Sequence, residues 1–151
     1  MLSVANDYRL GMDLAEELRS KGLKVTPQRL AVLRVVSSGG HYTGEQIYEM
    51  LKKSEPGISL STIYNSLEAL RESGLLNSFE ARGVTWYEFR KEPHANVICL
   101  DTGEIVDVDV DLSQLTSSID SKGMRTRGVN LVVYAECRPN ETAPQGGADG
   151  R

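Results

Sequence analysis

A short segment of the chain, residues 58–76, carries small hydrogen-bonding side chains at helical spacing. Ser61, Thr62 and Asn65 project from one side of the helix that this segment predicts, together with Glu68. Hydroxyl and amide groups of this size reach base edges and phosphates in the major groove of DNA. The segment is therefore typical of a DNA-recognition helix, although an ordinary surface helix shows the same pattern when it stands alone.

The opposite side of this helix is apolar. Its stripe consists of Leu60, Ile63, Leu67 and Leu70. Residues at this spacing share one helix face, so we expect the stripe to pack against other helices. A helix that enters a groove needs such a rigid apolar back.

Capping residues predict two helices upstream of the recognition helix. Thr26 is a favourable N-cap, and Pro27 fits the first helical position. Thr43 and Gln46 form a capping box for the next helix, which would also bury Met50. Two helices joined by a short turn, the second with a small polar face, are the helix-turn-helix arrangement.

Polar residues outside the recognition helix are further candidates for DNA contact. Gln28 and Arg29 lie in the first turn of a predicted helix, where backbone amides favour an anion. Extended runs at 75–79 and 85–90 predict a β-hairpin wing with Arg82 near its tip, within reach of a minor groove or the DNA backbone. Simple solvation of these side chains is the alternative interpretation.

From residue 93 onward the sequence predicts strands. They span residues 96–100, 105–111 and 129–136, with a short helix at 112–123. Three strands and one helix form a thin layer, so we expect its exposed apolar surface to be buried in a symmetric homodimer.

Length and composition limit the classes of protein to which this chain can belong. The 151 residues are 40% hydrophobic, which is enough for a buried core, and no apolar run approaches the roughly 20 residues of a membrane span. Four acidic residues among the first 20 argue against a secretory signal. We therefore expect a cytoplasmic protein without a membrane partner.

The net charge of −4 is unevenly divided along the chain. Residues 1–91 carry 12 Lys and Arg against 11 Asp and Glu, a balance of +1, whereas residues 92–151 carry 5 against 10, a balance of −5. We predict an α+β protein with a winged helix-turn-helix DNA-binding domain at 1–91 and a small α/β dimerisation domain at 92–139. Residues 140–151 contain no core-forming run and are predicted to be a disordered tail.

The sequence resembles the ferric uptake regulator family over residues 10–139. Thr-Pro-Gln-Arg within 22–29 and Thr-Ile-Tyr-Asn within 61–67 carry the resemblance, together with His41 and the segment 93–107. The resemblance implies a dimeric winged-helix repressor whose affinity for double-stranded operator DNA depends on a divalent metal bound between its two domains.

The resemblance also implies roles for single residues. Tyr64 and its neighbour would contact DNA, and Asn65, where many members have arginine, is similar to the peroxide-sensing branch. Ligands of the regulatory metal would stand at the matching positions, which are His41, Glu80, His94, Asn96 and Asp107.

The donor set suits one divalent metal per subunit. Two imidazoles and two carboxylates bind Fe²⁺, Mn²⁺ or Zn²⁺ and do not choose among them. Asn96 stands where relatives usually have histidine, so its amide oxygen would be a weak ligand or none. Ligands from both domains would make metal binding favour the DNA-competent arrangement of the dimer. We predict that the second domain serves in metal sensing as well as in dimerisation.

The cysteines depart from the family pattern. Relatives often hold a structural zinc with two Cys-x-x-Cys pairs, and here Thr102 and Asn140 replace the second member of each pair. Two thiolates cannot close a tetrahedral zinc site, so we expect no structural zinc. In a cytosolic chain we expect Cys99 and Cys137 to be two small buried apolar residues rather than a redox pair.

Three classes of function remain. The leading hypothesis is a metal-dependent dimeric transcriptional repressor that controls metal homeostasis or the peroxide response. The alternative is a regulator of the same fold that has lost metal control and responds to haem, thiol redox or a partner protein. A metallohydrolase would use the same donor set, but no motif places a general base or oxyanion donor nearby. We therefore expect that the protein is not an enzyme.

Overall fold

The computed structural model of the chain describes residues 13–89 and 92–138. They form two compact units that divide between residues 91 and 92, where the sequence also changes its pattern. The predicted tail at 140–151 lies outside the described residues. None of the described helices is long and apolar enough to cross a membrane.

The described part of the first unit contains four capped helices. They are α1 (Leu14–Ser20), α2 (Pro27–Ser37), α3 (Gly44–Leu51) and α4 (Leu60–Glu72). A side chain at each N-cap accepts a hydrogen bond from the first turn, and these caps are Asp13, Thr26, Thr43 and Ser59. Each bond satisfies an amide that the helix itself leaves unpaired, which is why the helices begin at these residues.

The apolar stripes of the helices meet in one core. On α4, Ile63, Leu67 and Leu70 are completely buried, whereas Leu60 is 36% exposed because it stands at the first helical position. Met50, expected to be buried, is 52% exposed. The buried positions of α3 are instead Ile47 and Leu51, which are four residues apart on one face.

A small antiparallel sheet completes the first unit. Its strands are β1 (His41–Tyr42), β2 (Asn77–Ala81) and β3 (Val84–Glu88), in the order β1-β3-β2. Strands β2 and β3 form the predicted hairpin. Both residues of its turn have positive φ, 57° at Arg82 and 80° at Gly83, which is the geometry of the tight turn that matches strand twist.

The second unit is a three-stranded sheet with one helix among its described residues. It contains β4 (His94–Cys99), β5 (Ile105–Asp109), α5 (Ser113–Asp120) and β6 (Leu131–Ala135). The strand order is β5-β4-β6, with β4 antiparallel to β5 and parallel to β6. Every element that the sequence predicts for this unit is present; β4 begins two residues earlier and ends one residue earlier than predicted, and the other three elements are shorter than predicted.

A disulfide joins Cys99 to Cys137, whose Cα atoms are 5.3 Å apart. The expectation that the two cysteines are separate apolar residues is therefore wrong. Cys99 pairs with Ala135 across the parallel strands β4 and β6, so Cys137 follows closely beside it. Cys99 is completely buried, whereas Cys137 is exposed.

Removal of this bridge should destabilise the second unit. The two cysteines are 38 residues apart in sequence, and closing a loop of that length restricts the unfolded chain by about 4 kcal/mol in the chain-entropy treatment. The double variant C99S/C137S should lose about this much free energy of unfolding, measured in urea. Wild-type protein unfolded with dithiothreitol is the matched control and should show the same loss; equal stability of the oxidised wild type and the double variant would contradict the role of the bridge.

Candidate nucleic-acid interface and metal site

The start of α4 presents the side chains predicted to read a groove. Ser61 and Asn65, one turn apart, are exposed, and Thr62 is half-buried. The hydroxyl of the N-cap Ser59 lies 3.1 Å from the Ser61 hydroxyl and 2.9 Å from that of Thr62. Three hydroxyls thus cluster where the amides of the first helical turn favour a phosphate or another acceptor.

Tyr64 of α4 connects the two helices of the helix-turn-helix by a hydrogen bond to α3. Its hydroxyl donates to Oε1 of Glu45 at 2.7 Å. Burial, and then this carboxylate, raise the pKa of Tyr64 to about 12, while the same bond lowers the pKa of Glu45. Tyr64 therefore keeps its proton and remains a hydrogen-bond donor at neutral pH.

The close packing of Tyr64 requires a glycine at position 44. A Cβ atom there would lie 2.8 Å from the Tyr64 hydroxyl oxygen and closer still to two of its ring carbons. Those separations are shorter than van der Waals contact, so a side chain would displace the ring or the start of α3.

Both carboxylate oxygens of Glu68 accept hydrogen bonds from other side chains of the protein. Its Oε1 accepts from Nε and Nη2 of Arg71 at 3.1 and 2.9 Å, and its Oε2 accepts from the Tyr87 hydroxyl at 3.0 Å. The Arg71 bonds lower the pKa of Glu68, and burial raises that of Tyr87 to about 12. The network ties α4 to strand β3.

The basic and polar candidates outside α4 have different surroundings. Gln28 is exposed in the first turn of α2. Arg29 is half-buried, and its Nη1 donates to the carbonyl of Lys24 at 2.9 Å, which orients the guanidinium. Arg82 is exposed at the tip of the wing.

His41 faces a buried carboxylate across the wing sheet. Its Nε2 lies 3.4 Å from Oε1 of Glu88, and the side chains of His41 and Glu88 are only 10% and 1% exposed. Oε2 of Glu88 accepts a hydrogen bond from Nδ2 of Asn77 at 2.9 Å. The Phe79 ring packs edge-on against the imidazole, with centroids 5.8 Å apart. An imidazole beside a buried, oriented carboxylate is a donor pair suited to a divalent metal.

Glu88, and not the predicted Glu80, is the carboxylate that faces His41 in the wing sheet. Glu80 pairs with Thr85, three positions along the hairpin from the row that contains His41, Glu88 and Asn77. An odd offset places a side chain on the other face of a sheet, and Glu80 is indeed exposed. Sequence reasoning missed Glu88 because the pairing depends on β1, which is only two residues long.

The predicted ligands of the second unit share one face of its sheet. His94 and Asn96 are two residues apart on β4, and Asn96 pairs directly with Asp107 of β5. Nδ1 of His94 donates to the Glu92 carbonyl at 2.8 Å, since a carbonyl only accepts. A neutral ring then carries its lone pair on Nε2, which is the arrangement of many metal-binding histidines. The donors of this unit therefore also fit a divalent metal.

A winged helix-turn-helix unit followed by a small sheet unit with imidazole and carboxylate donors defines a class of DNA-binding regulators. Residues 20–134 match the ferric uptake regulator family, and this chain belongs to that family. The predicted family and the α+β fold are thereby confirmed.

Individual relatives agree with this assignment. The peroxide operon regulator of Bacillus subtilis is 32% identical over 129 residues, which cover 82% of this chain and 88% of that protein. The structure of the Campylobacter jejuni peroxide stress regulator has 31% identity and a TM-score of 0.66, covering 83% and 96% of the two chains. The ferric uptake regulator of Pseudomonas aeruginosa, solved with manganese, has 28% identity and a TM-score of 0.68, covering 80% and 94%.

Replacing Gly44 by alanine should weaken DNA binding without unfolding the protein. The added methyl group must push the Tyr64 ring from its place, at a cost of roughly 1–3 kcal/mol typical of overpacking. We expect G44A to lose operator affinity in a fluorescence anisotropy titration and the Tyr64 hydroxyl to titrate at lower pH than in the wild type. G128A is the matched control, because nothing lies within 4 Å of a Cβ at that glycine; equal losses in both variants would contradict the packing argument.

Proposed function

We propose that this protein is a metal-dependent transcriptional repressor that binds double-stranded operator DNA as a homodimer and controls metal homeostasis or the peroxide response. The observation that carries the proposal is on β3. Tyr87 of this strand bonds to Glu68 of α4, and the next residue, Glu88, faces His41. Two adjacent residues of β3 thus connect to different parts of the unit. Tyr87 contacts the recognition helix, and Glu88 is one of the candidate metal ligands.

The ligands proposed for the metal are His41 and Glu88 of the first unit and His94, Asn96 and Asp107 of the second, with one ion per subunit. Fe²⁺, Mn²⁺ and Zn²⁺ all suit this donor set, and the manganese in the P. aeruginosa relative supports a divalent ion. The bound ion would supply positive charge that offsets the buried carboxylate. An ion that binds the DNA-competent form more tightly than the other form shifts the protein toward it, and DNA affinity would then follow metal occupancy.

The residues proposed to contact DNA form two groups. Groove contacts would come from Ser61, Thr62, Tyr64 and Asn65 at the start of α4. Backbone contacts would come from Gln28, Arg29 and Arg82. Short hydroxyl and amide side chains suit base edges, whereas the guanidinium groups suit phosphates. A regulator of this kind would act in the cytoplasm, where its operators are.

The homodimer proposal rests on an uncovered apolar face of the second unit. Val106, Val97 and Val133 form one row across the sheet, and Val106 and Val133 are 42% and 44% exposed. Val108, on the same face, is 46% exposed, and α5 has no buried residue. A symmetric partner would remove this apolar surface from water.

Glu88→Gln should abolish most of the metal response, whereas Glu80→Gln should leave it intact. The amide of the first variant keeps the size of the side chain and removes its charge, so the metal affinity should fall about 10- to 100-fold. The measurement is operator binding by anisotropy during Mn²⁺ titration. E80Q is the matched control, because it makes the same change at an exposed position of the same hairpin. A lost response in E80Q with a normal response in E88Q would restore Glu80 as the ligand.

Arg29→Ala should weaken binding to all DNA sequences alike. Loss of one phosphate contact lowers the dependence of log affinity on log salt by about one unit. Arg19→Ala removes an equal charge from an exposed position on α1 and should leave the slope unchanged. If the two variants give the same slope, Arg29 does not contact a phosphate.

A further inference from the structure

The disulfide between Cys99 and Cys137 involves none of the residues proposed to bind metal or DNA. Two thiols do not make a zinc site, and the Thr102 hydroxyl, which replaces one zinc-pair cysteine, accepts a bond from the Glu104 amide at 3.2 Å. The bridge is unequally accessible, because Cys137 is exposed while Cys99 is completely buried. A thiol reagent therefore reaches the bridge from the side of Cys137.

The two ends of the bridge are also held together by hydrogen bonds. The Asp101 carboxylate accepts the amides of Cys137 and Arg138 at 3.1 and 2.9 Å, and the Leu100 amide donates to the Ala135 carbonyl at 2.8 Å. The backbone amides lower the pKa of Asp101, so this carboxylate stays charged and continues to accept both hydrogen bonds. These contacts keep the two sulfur atoms close when the bridge is open, and closure then needs little reorganisation.

We propose that the Cys99–Cys137 bridge is a thiol–disulfide exchange site through which a dithiol reductant lowers the DNA affinity of the repressor. The part of this proposal that concerns DNA rests on the proposed function. The exchange itself rests only on the bridge and its exposure.

The chemistry of opening is a two-step exchange. One thiolate of the dithiol attacks Sγ of Cys137, forms a mixed disulfide and releases the Cys99 thiolate, which takes up a proton. The second thiolate of the reagent then displaces Cys137, and the reagent leaves as a cyclic disulfide. Two electrons pass from the reagent to the protein, and hydrogen peroxide reverses the change by oxidising the two thiols to the bridge with release of two waters.

Strand β4 connects the bridge to the rest of the second unit. It carries His94 and Asn96 near one end and Cys99 at the other, and it lies between β5 and β6. The segment between the cysteines contains β5, α5 and β6, and it carries Val106, Val108 and Val133 of the apolar face proposed for dimerisation. Opening the bridge leaves this segment attached to β4 by hydrogen bonds and side-chain packing alone. The reduced protein should therefore hold both the dimer and the metal donors less firmly.

The test compares oxidised and reduced full-length protein at equal metal occupancy. Wild type and C137S are treated with hydrogen peroxide or with dithiothreitol, desalted under nitrogen, supplied with saturating Mn²⁺ and titrated against operator DNA. Intact mass reports the bridge, since reduction adds two hydrogens. We expect reduction to weaken wild-type binding about 10-fold and C137S to bind like the reduced wild type under both conditions. A melting temperature that falls on reduction of the wild type alone supports the structural step without DNA.

The outcomes separate this proposal from the proposed function. Equal affinity of the oxidised and reduced wild type, with binding still stimulated by Mn²⁺, overturns the redox site alone. Absence of any Mn²⁺ effect on either form overturns the metal-dependent function, while the mass and melting measurements still decide the exchange site. A purified wild type that carries one zinc per subunit, lost in C137S, would show that the cysteines bind metal and would overturn the bridge.

Discussion

Strand β3 links the recognition helix of the first unit to the candidate metal ligands, because its last two residues contact different partners. Tyr87 reaches Glu68 on the recognition helix, and Glu88 faces His41 on β1. A shift of β3 would therefore act on both contacts, the one to the helix and the one between the imidazole and the carboxylate. A metal that binds His41 and Glu88 would fix this strand and, through it, the helix that presents Ser61 and Asn65.

The second unit is stabilised differently, because a three-stranded sheet and a short helix cannot bury both faces. One face carries the polar donors of β4 and β5, and the other carries valines that are nearly half-exposed. Burial in the proposed partner would compensate for this small core by removing apolar surface from water. The Cys99–Cys137 cross-link acts separately, because it restricts the unfolded chain.

The sequence predicted the elements of both units well and the tertiary partners poorly. The start of a helix depends on residues that are close in sequence. Thr26, Thr43 and Ser59 indicate such starts, because each side chain caps the first turn of the helix that follows it. The position of the proposed ligand Glu88 and the disulfide depend on strand pairing instead. Glu88 becomes a partner of His41 only through the two-residue strand β1, and Cys137 meets Cys99 only because β6 lies parallel to β4. Neither pairing leaves a periodic signal in the sequence.

The central claim is that occupancy by a divalent ion controls operator affinity. The most direct measurement is the affinity of the full-length protein for operator DNA before chelation, after chelation verified by elemental analysis, and after return of Mn²⁺. We expect metal removal to lower the affinity at least about 10-fold and one returned ion per subunit to restore it fully. Unchanged affinity in protein shown to be free of metal would contradict it.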